Sequence, residues 1–300
     1  MIDIFSLPLK APKLYEEFID KIRNFYKTKG YTEVFTPYIQ DEPNLEKYIK
    51  PVEIEIIHCG KKEKAYLHTS PERSMKALLK TYKSNIFQIA KVFRDEECGN
   101  LNSVEFTMLE CYNIENTDAI NEISDLVFEL FGENIKDIST KPKLTPFEKA
   151  FEEYLGIIFS EDEDILKNNL ISFGYDFDDN DTWEELIDKM MVHMQPYLGK
   201  SQIEFLTDFP CKLGVLSTCK DGISKRFELF IDGIEIANGW VEETSEDKIR
   251  DIIENASSYK PINDKEKLVK DYHNDFPYAG YSIGIERLFY FYATKMGVVG

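Results

Sequence analysis

Residues 85–114 read NIFQIAKVFRDEE (85–97), CGNLNS (98–103) and VEFTMLECYNI (104–114). Two β-rich runs around a short polar loop predict a long antiparallel hairpin. Side chains two apart share a face of a strand, so Arg94 falls with Glu96, while Phe106, Met108, Glu110 and Tyr112 fall together on the return strand. A face that mixes charges with aromatics is either a solvated sheet surface or a binding surface, because an unpaired charge in a core is expensive.

Upstream, LYEEFIDKIRNFY carries Leu14, Phe18, Ile22 and Phe25 at steps of four and three, one stripe of an amphipathic helix. Gly30 suits the helix end, and Tyr31 to Thr36 predicts a strand stopped by Pro37. Thr69, Ser70 and Pro71 offer caps and a first-turn proline for a helix over PERSMKALLK. From about residue 116 to 199 the pattern is mainly helical. Thr117 or Asp118 can cap a helix ending at Gly132, Thr145 with Pro146 can start another, and Thr182 with Glu185 forms a capping-box pattern.

The chain has 300 residues, 36 basic and 55 acidic, for a formal charge of −19. Nucleic acid is held largely by phosphate neutralisation, and no Lys/Arg run offsets this excess of acid, so nucleic acid is an unfavoured partner. A hydrophobic content of 43% excludes disorder. No apolar stretch approaches the roughly 20 residues a membrane helix needs, and no secretory pattern opens the chain, so a cytoplasmic protein is expected. Five cysteines, Cys59, Cys98, Cys111, Cys211 and Cys219, show no Cys-x-x-Cys pair. They are expected to be reduced and mostly buried. The acidic stretches SEDED (160–164) and DFDDND (176–181) fail the calcium-loop pattern and are read as caps and solvated loop.

In RFELFIDGIEIANGW (226–240) a two-residue turn at Asp232 and Gly233 sets Ile231 opposite Ile234, Phe230 opposite Glu235 and Glu228 opposite Ala237. Glu228 and Glu235 then share a face, a pair suited to magnesium beside a phosphate. By the same alternation Trp240 and Glu242 need a bulge, expected at Gly239, to reach that face. In GYSIGIERLFYFYATK (280–295) a strand passes into a helix; Gly280 and Gly284 permit close approach, and Arg287 lies in the first helical turn, where anions are favoured.

Taken together, KGYTEVFTPYI (29–39), FRDEE with EFTMLE (93–110) and GYSIGIERL (280–288) resemble motifs one, two and three of the class II aminoacyl-tRNA synthetases. YLHTSPERSMK (66–76) and FELFIDGIEIANGWVEE (227–243) resemble the lysyl branch, so the similarity covers nearly the whole chain. The resemblance implies an α+β fold, an antiparallel sheet flanked by helices that binds ATP and a small amino acid. It implies a single catalytic domain over 1–300 with a mainly helical segment at about 116–199, no anticodon-binding domain, and a homodimer through motif one. By residue it implies that Arg94 binds the α-phosphate and the amino-acid carboxylate and that Arg287 binds the γ-phosphate, both as catalytic groups. Phe106 would stack on adenine, Glu96 would read the adenine edge, and Glu228 and Glu235 would carry Mg2+. Glu242 and Tyr112 would face a side-chain ammonium, Glu72 and Glu110 would hold an amino group, and Ala237, Asn238, Trp240 and Gly284 would line the pocket.

Within the lysyl branch, Ala237 and Ser282 stand where tRNA-charging enzymes carry glycine. This resembles the paralogues that attach (R)-β-lysine to elongation factor P through a β-lysyl adenylate. The motif-two loop departs from that group: Asn100 and Asn102 stand where a charged arginine and histidine usually reach the outer phosphates, so only amide donors remain. Two other readings stay open, a ligase activating α-lysine for a different acceptor and a catalytically silent binding paralogue.

Overall fold

A computed structural model describes residues 3–114, 118–178 and 180–299. Thr117, one of the expected caps, lies outside the described residues. The chain divides into two compact units, Met1–Ala119 with Val241–Gly300, and Ile120–Trp240.

In the first unit the predicted hairpin is the centre. Ile86–Asp95 pairs antiparallel with Glu105–Asn113, from Ile86 opposite Tyr112 to Phe93 opposite Glu105. Lys50–His58 and then Lys61–Leu67 continue the sheet on one side, and Ala279–Gly284 pairs with Glu105–Asn113 on the other. The expected strand at Tyr31 to Thr36 is only Thr32–Glu33, parallel to Ile86 and Phe87. Helix Pro12–Thr28 buries Phe18, Ile22 and Phe25 as its stripe requires, and Phe18 packs on Phe289 of helix Ile285–Lys295 with ring centroids 5.3 Å apart. Pro71 precedes helix Glu72–Tyr82 instead of opening it, and the Ser70 hydroxyl accepts from the Glu72 amide at 3.4 Å.

One buried contact ties the third motif to the second. The Glu286 carboxylate accepts from the Thr107 amide at 2.9 and 3.0 Å and from its hydroxyl at 2.6 Å. Because Glu286 immediately precedes Arg287, this contact orients the first turn that presents the arginine.

In the second unit, Ile138–Pro146 runs parallel to Gln202–Thr207, which pairs antiparallel with Arg226–Ile231, which pairs antiparallel with Ile234–Val241. Helices Ala119–Phe131, Glu163–Ser172 and Trp183–Met194 match the expected helical character, but the nine-residue strand Ile138–Pro146 corrects it. Its apolar residues are too sparse to announce a strand; its place is set by the neighbouring strand. Thr182 and Glu185 form the capping box, and Asp162 of the first acidic stretch caps helix Glu163–Ser172. Phe147, Phe151, Leu186, Met190 and Phe230 are among the residues of the unit's core.

The cysteine expectation is corrected. Cys211 and Cys219 form a disulfide, and Cys59 and Cys98 are exposed, leaving Cys111 as the buried free thiol. Ile223–Ser224 pairs with both Phe209–Pro210 and Cys219–Lys220, and this small sheet brings the two cysteines together. Among the described residues no helix is long and apolar enough to cross a membrane.

Glu286→Ala leaves the buried Thr107 donors unpartnered and is expected to destabilise the protein by about 2 kcal/mol in urea unfolding. A variant as stable as the parent would show that this contact is not a fastening.

Candidate active site

In the first unit the hairpin face carries four of the expected groups, Arg94, Phe106, Glu110 and Tyr112. Arg94 shares a face with Phe106, its guanidinium 5.1 Å from the ring centroid, and its Nε donates to the Thr69 carbonyl at 3.4 Å. Both are half-buried, so a planar group and a phosphate can reach them. Arg287 donates to Asn102 Oδ1 at 2.8 Å and to the Leu101 carbonyl at 3.2 Å. The loop that lost its charged residues is thus held by the third-motif arginine. The strand ends at Asp95, so strand alternation does not place Glu96, which corrects the strand reading. It lies past the strand end with φ 62°, which breaks the alternation, and its exposed carboxylate pairs with Lys50.

Deeper on the return strand, Glu110 and Tyr112 are buried, and the tyrosine hydroxyl donates to Glu110 at 2.8 Å. Burial first, then the charge of Glu72, pushes the Glu110 carboxyl well above the usual carboxylate range. Its second oxygen is enclosed and has no hydrogen-bond partner, an acceptor suited to an incoming ammonium. Glu242 is buried beside them, its amide donating to the Tyr278 carbonyl at 3.0 Å.

Sequence reasoning missed Lys76. Its ammonium is 2.7 Å from Glu72 Oε1 and 2.7 Å from Glu242 Oε2, and its side chain is 1% exposed. Glu72 and Lys76 stand four apart on one helix, a spacing that could have signalled the first contact but not the second.

The glycines of the third motif differ. A Cβ at Gly280 would lie 2.4 Å from the Tyr112 ring and 2.7 Å from Glu242 Oε1, so only glycine leaves this pocket intact. At Gly284 a Cβ would meet only the Arg287 side chain at 3.5 Å or more, so the close approach expected there is not required by packing.

In the second unit the turn at Asp232 and Gly233 sets Phe230 opposite Glu235 as predicted, but the register then shifts. Glu228 faces Asn238, and Ala237 faces Leu229. The bulge exists, at Ile236 instead of Gly239, and it puts Asn238 and Trp240 on the Glu228 face while turning Ala237 away. Asn238 donates to Glu235 at 3.4 Å, and Arg226 donates to Glu228. Burial first, against the opposing pull of Arg226 and with repulsion from Glu235 added, pushes Glu228 up to about 7.

Among the described residues no group of three or more His, Cys, Asp or Glu could hold a metal by itself. Two carboxylates on one strand face, one of them buried, nevertheless fit a divalent cation whose remaining ligands are phosphate oxygens and water.

The raised Glu228 pKa has a definite sign. Between its ordinary value of 4.5 and about 7 the folded chain binds the extra proton, so this group's contribution to stability falls as pH rises through that window. Glu228→Gln is therefore expected to be more stable than the parent by about 2 kcal/mol at about pH 8 without metal, and by much less near about pH 4.5. A pH-independent difference in thermal unfolding would contradict it.

Comparison with known proteins agrees with the motifs. Residues 10–298 match the family of class II tRNA synthetases (D, K and N). A protein of Aquifex aeolicus named elongation factor P (R)-β-lysine ligase homolog is 39% identical over 288 residues, 95% of this chain and 96% of its own length. Proteins named elongation factor P (R)-β-lysine ligase are 28% identical over 303 residues in Hamiltonella defensa (94% and 91% of the two chains) and 31% identical over 241 residues in Yersinia pestis (76% and 72%). The chain belongs to the class II tRNA synthetase (D, K and N) family.

Proposed function

We propose that this chain is a ligase that activates (R)-β-lysine as an adenylate and transfers the acyl group to a lysine side chain of elongation factor P. One observation carries the reading: a buried cluster of Glu72, Glu110, Tyr112 and Glu242, suited to ammonium groups, in a chain whose relatives bearing that name match most of its length. An acidic wall attracts a diamino acid and repels aspartate, so attraction and like-charge penalty discriminate in the same direction.

Activation requires no protein nucleophile. The substrate carboxylate attacks the α-phosphorus of ATP, a P–O bond forms, and pyrophosphate leaves with the electrons of the broken bond. The acceptor amine then attacks the acyl carbon, AMP leaves, and the amine proton passes to solvent. Positioning and charge neutralisation supply the rate. Arg94 binds the α-phosphate and substrate carboxylate, Phe106 stacks on adenine, Arg287 binds the γ-phosphate, and Asn102 assists through Arg287. In the second unit, Glu228 and Glu235 are the proposed ligands of Mg2+, which when bound would neutralise phosphate charge, and the resemblance assigns Asn238 and Trp240 to the amino acid. The remaining parts of the proposal are a single catalytic domain, a homodimer through residues 14–37 and a cytoplasmic location.

Pyrophosphate exchange tests the reading directly. Exchange is expected with (R)-β-lysine and not with aspartate or asparagine, and absence of exchange with any basic amino acid would overturn it. Glu242→Arg and Gly280→Ala are each expected to lower kcat/KM for the amino acid by about a hundredfold, the first by reversing a charge and the second by displacing Tyr112. ATP affinity, read by calorimetry, should stay within about threefold for both.

A further inference from the structure

We propose that Lys76 is a positioning residue of the ammonium pocket, an internal cation that fixes Glu72 and Glu242 and limits the pocket's negative charge to what the two ammonium groups of a diamino acid can match. The inference rests on the reading that this pocket takes such an amino acid.

Lys76 reaches from its helix to Glu72 one turn earlier and to Glu242, 166 residues later in the chain, each at 2.7 Å. Tyr272 and Tyr112 stand with ring centroids 5.3 and 5.9 Å from its ammonium. The groups around it include Glu72 on its own helix, Glu242, Glu110 and Tyr112 on the return strand, Tyr272 on helix Lys265–Tyr272, and Tyr278, with the buried Glu46 carboxyl bearing on Glu72. Three carboxyl groups therefore share one desolvated space, and Lys76 offsets one of the two it bonds. The Glu110 carboxyl, held protonated by burial, can release its proton when a second ammonium arrives, so a substrate with two ammonium groups balances the pocket.

The consequence runs against simple repulsion. Removing a lysine beside a cationic substrate should tighten binding if Lys76 acted only as a like charge. Without Lys76, however, Glu72 and Glu242 are like charges in low dielectric; one takes up a proton, loses its attraction for ammonium, and both lose the bond that holds their geometry.

Calorimetric binding of (R)-β-lysine and α-lysine to the parent, Lys76→Met and Lys76→Arg tests this without relying on turnover. Lys76→Met is expected to bind about tenfold more weakly than the parent at about pH 6.5 and to recover severalfold at about pH 8.5 as its carboxylates ionise. Lys76→Arg, which keeps the charge, should stay within about threefold at both. If Lys76→Met does not fold, Lys76→Gln serves the same comparison, since its amide still donates to carboxylates but carries no charge. Unchanged or tighter binding by the uncharged variants overturns the proposal. So does equal loss in Lys76→Arg, or a parent that binds neither diamino acid. A parent that binds diamino acids but shows no exchange removes the ligase reading and leaves the role of Lys76 standing.

Discussion

An ammonium enclosed between two carboxylates is the constraint on which the pocket depends. Burial alone would strip the proton from Lys76, but the charges of Glu242 and Glu72 outweigh it and hold its pKa above the ordinary lysine value. The reverse also holds, since either carboxylate left alone in that space would be unstable as an ion. Breaking such a buried pair by removing one member typically costs about 3–5 kcal/mol, because the survivor keeps its desolvation penalty. The residue that follows strand Ile234–Val241 is thereby tied to the first turn of helix Glu72–Tyr82.

The bulge at Ile236 shows how one extra residue redistributes chemistry along a strand. A side chain alternates faces at every step, so an insertion exchanges the faces of everything beyond it. Before the bulge Glu235 sits opposite Phe230; after it, Asn238 and Trp240 join Glu228 while Ala237 turns to Leu229. A polar strip is assembled from positions that strict alternation would have divided. The left-handed backbone at Glu96 ends the alternation outright, one residue past the strand that carries Arg94.

Charge is deployed unevenly across this acidic chain. On helix surfaces some acids form ion pairs such as Lys167 with Glu163 and Arg250 with Glu246, where each contributes little. Among the buried carboxylates, five sit against a partner near the expected site: Glu286 on Thr107, Glu242 and Glu72 on Lys76, Glu110 on Tyr112, Glu228 on Arg226. These buried acids fall in or beside the second and third motifs and the two flanking stretches. Their desolvation raises the affinity of Glu110 and Glu228 for a proton, and the same penalty makes an incoming cation welcome.

The sequence by itself determined the hairpin at 86–113, the strand-to-helix passage at 279–295, the amphipathic helix at its start and the pairing of Phe230 with Glu235. Each of these follows from local periodicity, turn chemistry or a cap, properties of residues near one another in the chain. The tertiary structure alone decided that Glu242 meets Lys76, that the register shifts at Ile236, that Ile138–Pro146 is a strand and that Cys211 reaches Cys219. These outcomes are set by which distant segments lie side by side, where a neighbouring strand or an enclosed opposite charge overrides what the local pattern prefers.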